Sequence, residues 1–313
     1  MDTKSKEIVA FIITILMAFA LVSAAMAVDV PTTGQISPGA YPPNIIWKWE
    51  LPDDDSYVPC CQVMPAAGST KEIKAYFVAN DTEGADNIAN GYIRVYYPNG
   101  TIKYSKIDAE IISLDEAVSA IEAGVATGCI PSDVADYMKW QLEHSEAVAF
   151  KAVFTMYYYE PPGYYTVRAF VVDDWGNTVS FDNAFEYYAL KAFAIDFING
   201  VDFGVLTPCV EKIVSGDKDM STPTKPTVRN LGNVQISIKV RFSEMTGTDP
   251  AHKITGTFGA KFKGEKVYLS ASESHTFGTA LDVCETQYID FSLHVPYGTP
   301  VDTYTGILTV EGS

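Results

Sequence analysis

The chain has 313 residues, with 22 basic side chains against 39 acidic ones and a formal net charge of −17 at neutral pH. That balance excludes nucleic-acid binding through a basic patch and suits a solubilised outer surface or one that gathers cations. Val, Ile, Thr, Tyr and Phe are abundant, and 22 Gly and 17 Pro punctuate them at short intervals, the pattern of an all-β protein.

Lys4 and Lys6 precede an apolar run over residues 8–22, and "SAAMA" follows, with Ala25 and Ala27 in an A-x-A pattern. This predicts a signal peptide over 1–27, cleaved after Ala27. The alternative is an uncleaved anchor, because residues 8–27 are long enough to span a bilayer; that segment would be the protein's membrane contact. Residues 28–43, rich in Pro, Gly and Thr, read as an extended N-terminal tail.

What remains exceeds one small sandwich and suggests two domains, 44–190 and 191–313. In the first, "NIIWKWEL" alternates, placing Ile45, Trp47 and Trp49 on one face. "EIKAYFVAN" and "GYIRVYYPNGTIKY" follow, and Asn99-Gly100 in the second is a hairpin signal. Residues 113–146 break the β pattern. Ser113 and Glu116 form a capping box, and Leu114, Ala117, Val118 and Ile121 recur at helical spacing. Gly124 or Gly128 ends that helix, and a second runs over 133–143. Such a helical-hairpin insertion either carries specificity or lids an open sheet edge or core. Two long strands then flank Pro161-Pro162-Gly163, and a strand over 183–197 runs into the second domain, where seven short strands fit a Greek-key sandwich.

Cysteines stand at 60, 61, 129, 209 and 284, and an exported chain can oxidise them. Cys209 and Cys284 share the second half and are paired here, a closure worth about 4 kcal/mol in the chain-entropy model. Cys129 pairs with Cys60 or Cys61, which leaves one thiol over.

Tyr165 follows the Pro-Pro-Gly turn and precedes an inward alternation of Val167, Ala169 and Val171. Tyr304 stands in the same relation to Gly306, Leu308 and Val310. In immunoglobulin-type sandwiches a tyrosine so placed bonds back to nearby backbone and closes a corner, so both are assigned structural roles. Tyr157, Tyr159 and Tyr164 either pair across strands or stack on sugar rings.

"PPGYYTVRAFVVDDWGNTVSFDNAFEY" resembles the last hairpin of Ig-like domains in secreted and cell-surface proteins of archaea. "VPYGTPVDTYTGILTV" is similar to the closing strands of bacterial and archaeal extracellular β-sandwich modules. The resemblance implies two tandem immunoglobulin-like β-sandwiches, the first carrying the helical insertion, in a secreted, non-enzymatic protein. The long insertion departs from such modules.

His144, His252, His275 and His294 form no H-E-x-x-H motif, and no G-x-S-x-G nucleophile elbow is present. The strongest candidate site is for calcium. Asp81, Glu83 and Asp86 fall in one loop and Asp173 and Asp174 in a turn that should meet it at one end of a sandwich. Calcium takes six to eight oxygen ligands, although Asp also serves turns without any ion. Asn80 and Asn99 head glycosylation sequons, and a glycan at Asn80 would crowd the calcium end. The function expected is an exported structural or adhesive protein of the cell exterior: a surface-layer, matrix or filament subunit, with strand exchange through the tail as a route of assembly. Its partners would be further copies or other cell-surface proteins. The alternative is an extracellular carbohydrate- or ligand-binding module, with Trp47, Trp49, Trp140 and Trp175 as contacts and glycans as partners. A secreted hydrolase ranks third.

Overall fold

A computed structural model describes residues 41–55 and 61–313, and strands make up 47% and helices 10% of those described residues. The expected signal segment, tail residues 28–40 and Cys60 lie outside the described residues. Among those described, no helix is long and apolar enough to cross a membrane.

The first region comprises β1 (Asn44–Leu51), β2 (Gln62–Val63), β3 (Thr70–Asn80), β4 (Ile88–Tyr96), β5 (Ile102–Ile111), α1 (Leu114–Ala126), α2 (Ser132–Glu143), β6 (Ala147–Tyr157), β7 (Gly163–Asp173) and β8 (Thr178–Tyr187). Its strands form one sheet in the order β1-β3-β6-β5-β4-β7-β8-β2. β5 joins two layers: it pairs with β6 only through Glu110 and Ile111, and with β4 from Ala109 to Ile102. Beyond that join the sheet folds back, so that β1 meets β8, with the Trp47 and Phe181 rings 6.1 Å apart. Period-two burial is clearest in β7, where Tyr165, Val167, Ala169, Val171 and Asp173 all point inward. Phe77 stacks on Phe150 at 4.9 Å and Tyr165 on Phe185 at 5.3 Å. Each fully buried side chain of this size contributes about 1.5–3 kcal/mol.

Ser113 caps the helix as the sequence implies, its Oγ accepting from Glu116 N at 3.3 Å, while the Glu116 carboxylate accepts from Lys151 Nζ at 2.7 Å. Ala117, Ala120 and Ile121 of α1 and Ala135 and Met138 of α2 join the same core as the strands. The hairpin of helices therefore lids that core. Its approach is close: a Cβ on Gly124 would stand 2.5 Å from Ile130 Cδ1 and 3.1 Å from Trp49 Cδ1.

The strand expected over 183–197 is interrupted. β8 ends at Tyr187, and β9 (Phe193–Ile195) starts after a link held by the second half of the chain. Asn233, 4% exposed, accepts from Leu190 N (2.6 Å) and donates to Tyr188 O (2.8 Å), and Gly68 N donates to Leu231 O (3.0 Å). The strands that follow are β10 (Glu211–Val214), β11 (Thr227–Asn230), β12 (Ile238–Phe242), β13 (Met245–Gly247), β14 (Lys253–Ile254), β15 (Thr257–Phe262), β16 (Glu265–Leu269), β17 (Ser274–Thr276), β18 (Thr286–His294), β19 (Tyr304–Thr305) and β20 (Leu308–Gly312). They are shorter and more numerous than seven because glycines divide them. At Gly256 the chain leaves β14, which pairs with β13, for β15, which pairs with β18; a Cβ there would lie 2.1 Å from His294 O. A second core gathers Phe242, Phe258, Phe262, Phe277, Ile289 and Phe291.

The expected Cys209–Cys284 disulfide is not formed, and both thiols are exposed. Cys209 N donates to Val295 O beyond one end of β18, and Cys284 precedes the other end. That nine-residue strand spans roughly 30 Å, whereas a disulfide needs Cα atoms about 4–7 Å apart. A Cys61–Cys129 bridge is absent too: Cys61 keeps a buried free thiol that donates to Pro52 O at 3.1 Å.

Candidate functional site

The first core contains a group of polar side chains that strand alternation does not announce. In β1, Trp49 turns to the helical lid, so its neighbours Lys48 and Glu50 point the other way. That side is not solvent, because β8 lies across it. The side chains of Lys48 and Glu50 are both fully buried. Lys48 Nζ donates to Glu50 Oε1 and to Asn183 Oδ1. Asn183 Nδ2 donates to Glu50 Oε2 at 2.7 Å and approaches Lys48 O at 3.3 Å. An amine, a carboxylate and a carboxamide thus close a triangle between the first and last long strands of this region. Phe77, opposite Lys48 on β3, and Val167, opposite Asn183 on β7, are both fully buried. Burial lowers the Lys48 pKa, and the adjacent Glu50 carboxylate works against that. Burial also raises the pKa of the nearby Cys61 thiol, with Glu50 adding to the rise.

The acidic loops lie side by side, since Asp174 N donates to Asn87 O at 2.8 Å. Their carboxylates serve the turns they stand in. Asp173 Oδ1 accepts from Trp175 N (2.9 Å) and Asn177 N (2.7 Å), and Oδ2 accepts from Asn177 Nδ2 (2.8 Å). Burial opposes ionisation of Asp173, but these bonds outweigh it and hold its pKa below the ordinary value. Asp81 Oδ1 accepts from Glu83 N at 2.8 Å, while its buried Oδ2 has no hydrogen-bond partner. Asp86 and Asp174 are exposed. Among the described residues, no three His, Cys, Asp or Glu side chains converge to hold a metal ion.

The four tryptophans do not form one contact surface. Trp49 is 2% exposed and stacks on Tyr76 at 5.5 Å, so it cannot offer a face to a ligand. Trp47 is half-buried, and its Nε1 donates to Cys129 O at 3.0 Å, tying β1 to the lid. Trp140 and Trp175 are exposed, the former stacked on His144 at 4.3 Å. Of the sequon residues, Asn80 is half-buried, donating to Gln141 Oε1 and accepting from Asn44 Nδ2, both at 3.2 Å. Asn99 is exposed at its hairpin turn. The two corner tyrosines make one bond each, of the same kind. Tyr165 Oη donates to Pro161 O (2.8 Å) and Tyr304 Oη to Pro300 O (2.7 Å).

No family model and no curated protein matches the chain. Among solved structures, the chain is similar to one from a chaperone–tip adhesin complex of CFA/I fimbriae: 8% identity, TM-score 0.32, covering 85% of this chain and 83% of that one. It is also similar to the C-terminal domain of the AgI/II polypeptide BspA of Streptococcus agalactiae (10%, TM-score 0.24, 87% and 96%). A third is a carbohydrate-binding module of the β-sandwich superfamily (11%, TM-score 0.22, 87% and 97%).

Proposed function

We propose that the protein is an exported, non-enzymatic structural or adhesive component of the cell exterior that bears load along its chain. Export rests on the sequence of residues 1–27. The load-bearing role rests on how the chain enters and leaves the first core. From β1 to β8 the sheet path takes six steps, each antiparallel. An even number of reversals leaves β1 and β8 pointing the same way, and the fold-back brings them together. A pull on the two ends then shears that contact, so its bonds must fail together rather than one by one. The hydrogen-bonded link through Asn233 carries the pull into the second half. The immunoglobulin-like architecture and the division near Leu190 belong to this reading, supported by two separate hydrophobic cores and the paired tyrosine corners. Assembly through the tail is its natural extension, because residues 28–43 lead directly into β1, an edge strand of its sheet.

Antibody-labelled electron microscopy of the producing cells tests the reading. A lattice or fibres on the envelope are expected, and a protein dispersed in the medium refutes it. Deleting residues 28–43 should abolish assembly and leave the fold intact; unchanged oligomers refute strand exchange. Calcium at the acidic end is a further part of the proposal, supported by the unpartnered Asp81 Oδ2. The carbohydrate-binding alternative is favoured by exposed Tyr157, Tyr159 and Tyr164 and predicts quenching of fluorescence by a polysaccharide panel.

A further inference from the structure

We propose that Lys48 and Asn183 join spontaneously in an amide bond between their side chains, with Glu50 as the catalytic carboxylate, covalently stapling β1 to β8. The inference goes beyond the load-bearing reading and does not need it.

The three requirements of such a transamidation are met by neighbouring groups. The first is a nucleophile. An exposed lysine is protonated and inert at neutral pH, but a desolvated one becomes a competent amine nucleophile. Lys48 is shut away from water, and among the described residues its one charged hydrogen-bond partner is Glu50. In so dry a site burial lowers the Lys48 pKa, which favours the neutral, nucleophilic amine over the ammonium. The second is an electrophile in reach. Nζ already donates to Asn183 Oδ1, one covalent bond away from the carbon it must attack. The third is a proton carrier that touches both reacting nitrogens. Glu50 Oε1 accepts from Nζ and Oε2 accepts from Nδ2.

The step follows from those contacts. Glu50 takes a proton from Nζ, and the neutral amine adds to Asn183 Cγ. The tetrahedral carbon forms with its negative charge on Oδ1. Glu50 gives that proton to Nδ2, the Cγ–Nδ2 bond breaks, and ammonia departs; Glu50 then takes the second proton from the new amide nitrogen and hands it to the ammonia, which leaves as ammonium. One C–N bond forms and one breaks. No oxidant, metal or cofactor enters, and Glu50 ends as it began. The reaction runs once per molecule, and only after folding has brought β1 to β8, because Lys48 and Asn183 are 135 residues apart in sequence.

A static buried ion pair with an asparagine cap is the competing account, and mass spectrometry separates the two. The secreted, full-length folded protein is denatured, reduced and digested with trypsin. The expected product is a branched peptide containing Lys48 and Asn183, lighter than its two arms by one ammonia, about 17 Da, with no cleavage after Lys48. A succinimide also loses ammonia but gives a linear peptide, so only the branch counts. Lys48→Arg and Glu50→Gln should each yield linear peptides. Unbranched Lys48 in wild-type protein shown by circular dichroism to be folded overturns the proposal, whether or not any variant folds. Full branching in Glu50→Gln overturns the role of Glu50.

Discussion

Removing one oxygen atom from Tyr165 measures what the tyrosine corner does. The ring is fully buried, stacked on Phe185 at 5.3 Å and edge-on to Tyr187 at 6.0 Å, and its hydroxyl donates to Pro161 O at 2.8 Å. Burial is also the leading cause that raises the pKa of this phenol, so it stays a neutral donor throughout the useful pH range. Tyr165→Phe keeps the packing and deletes the hydrogen bond, which should cost about 1 kcal/mol. Pro161 lies at the surface, so water can satisfy the orphaned carbonyl and the full desolvation penalty is avoided. Tyr165→Ala empties the ring site as well and should cost about 3–5 kcal/mol. Urea denaturation reads both as a lower midpoint at unchanged slope. The half-exposed Tyr304 makes the equivalent bond to Pro300, and Tyr304→Phe should lose less, because water competes for that site. If Tyr165→Phe proves as stable as wild type while Tyr304→Phe does not, burial is not what makes the corner matter, and the architectural reading of both tyrosines fails.

Acid should weaken the second half through Asp302. Its carboxylate accepts from Thr248 Oγ1, Asp249 N (3.1 Å), His252 Nδ1 (2.9 Å) and Thr303 N (2.7 Å), which hold its pKa well below the usual range. A depressed folded-state pKa stabilises above the unfolded value, near pH 4, and that stabilisation is lost as pH falls toward the folded value. Asp302→Asn should therefore flatten the loss of Tm below about pH 4, and an unchanged acid limb sinks the assignment. Cys209 and Cys284 should both react with a thiol reagent in the unreduced native protein, since each is exposed; protection of the pair would restore the disulfide. Millimolar calcium should raise Tm in the wild type and not in Asp81→Asn, and a flat wild-type titration disposes of the site.

Much of the fold could be read in the residues, because the features that set it are local. Ser113 and Glu116 mark a helix start through contacts within one turn. Asn99-Gly100 marks a hairpin because Gly100 adopts φ +81°, which few other residues tolerate. The interruptions of the second half were hidden for the opposite reason. Gly256 breaks a strand because His294 O, far away in sequence, occupies the space a side chain would need. The cysteine pairing failed on the same ground: spacing places both thiols in one half, but β18 holds them at its two ends. In β1 the alternation Trp47-Lys48-Trp49-Glu50 reads as apolar in and charged out. What it cannot reveal is that β8 crosses the charged face.

That crossing also explains why Lys48 and Glu50 stand in the core at all. Burying an ion pair usually returns less than a well-packed apolar pair of the same volume would, and the surrounding core has apolar side chains in plenty. For stability alone, a leucine and a methionine would serve this position in β1. A polar triad is worth its desolvation only where it does something that packing cannot. Packing resists shear in proportion to the area in contact, and β1 and β8 share a short contact, outside any hydrogen-bonded ladder. One covalent link at Lys48–Asn183 would carry a pull across that contact independently of its area. The prediction this yields is mechanical. Stretched from its ends, the wild-type chain should extend without releasing the length between residues 48 and 183, whereas Lys48→Arg should release it. Release of that length from wild-type protein would show that the two strands are held by packing alone.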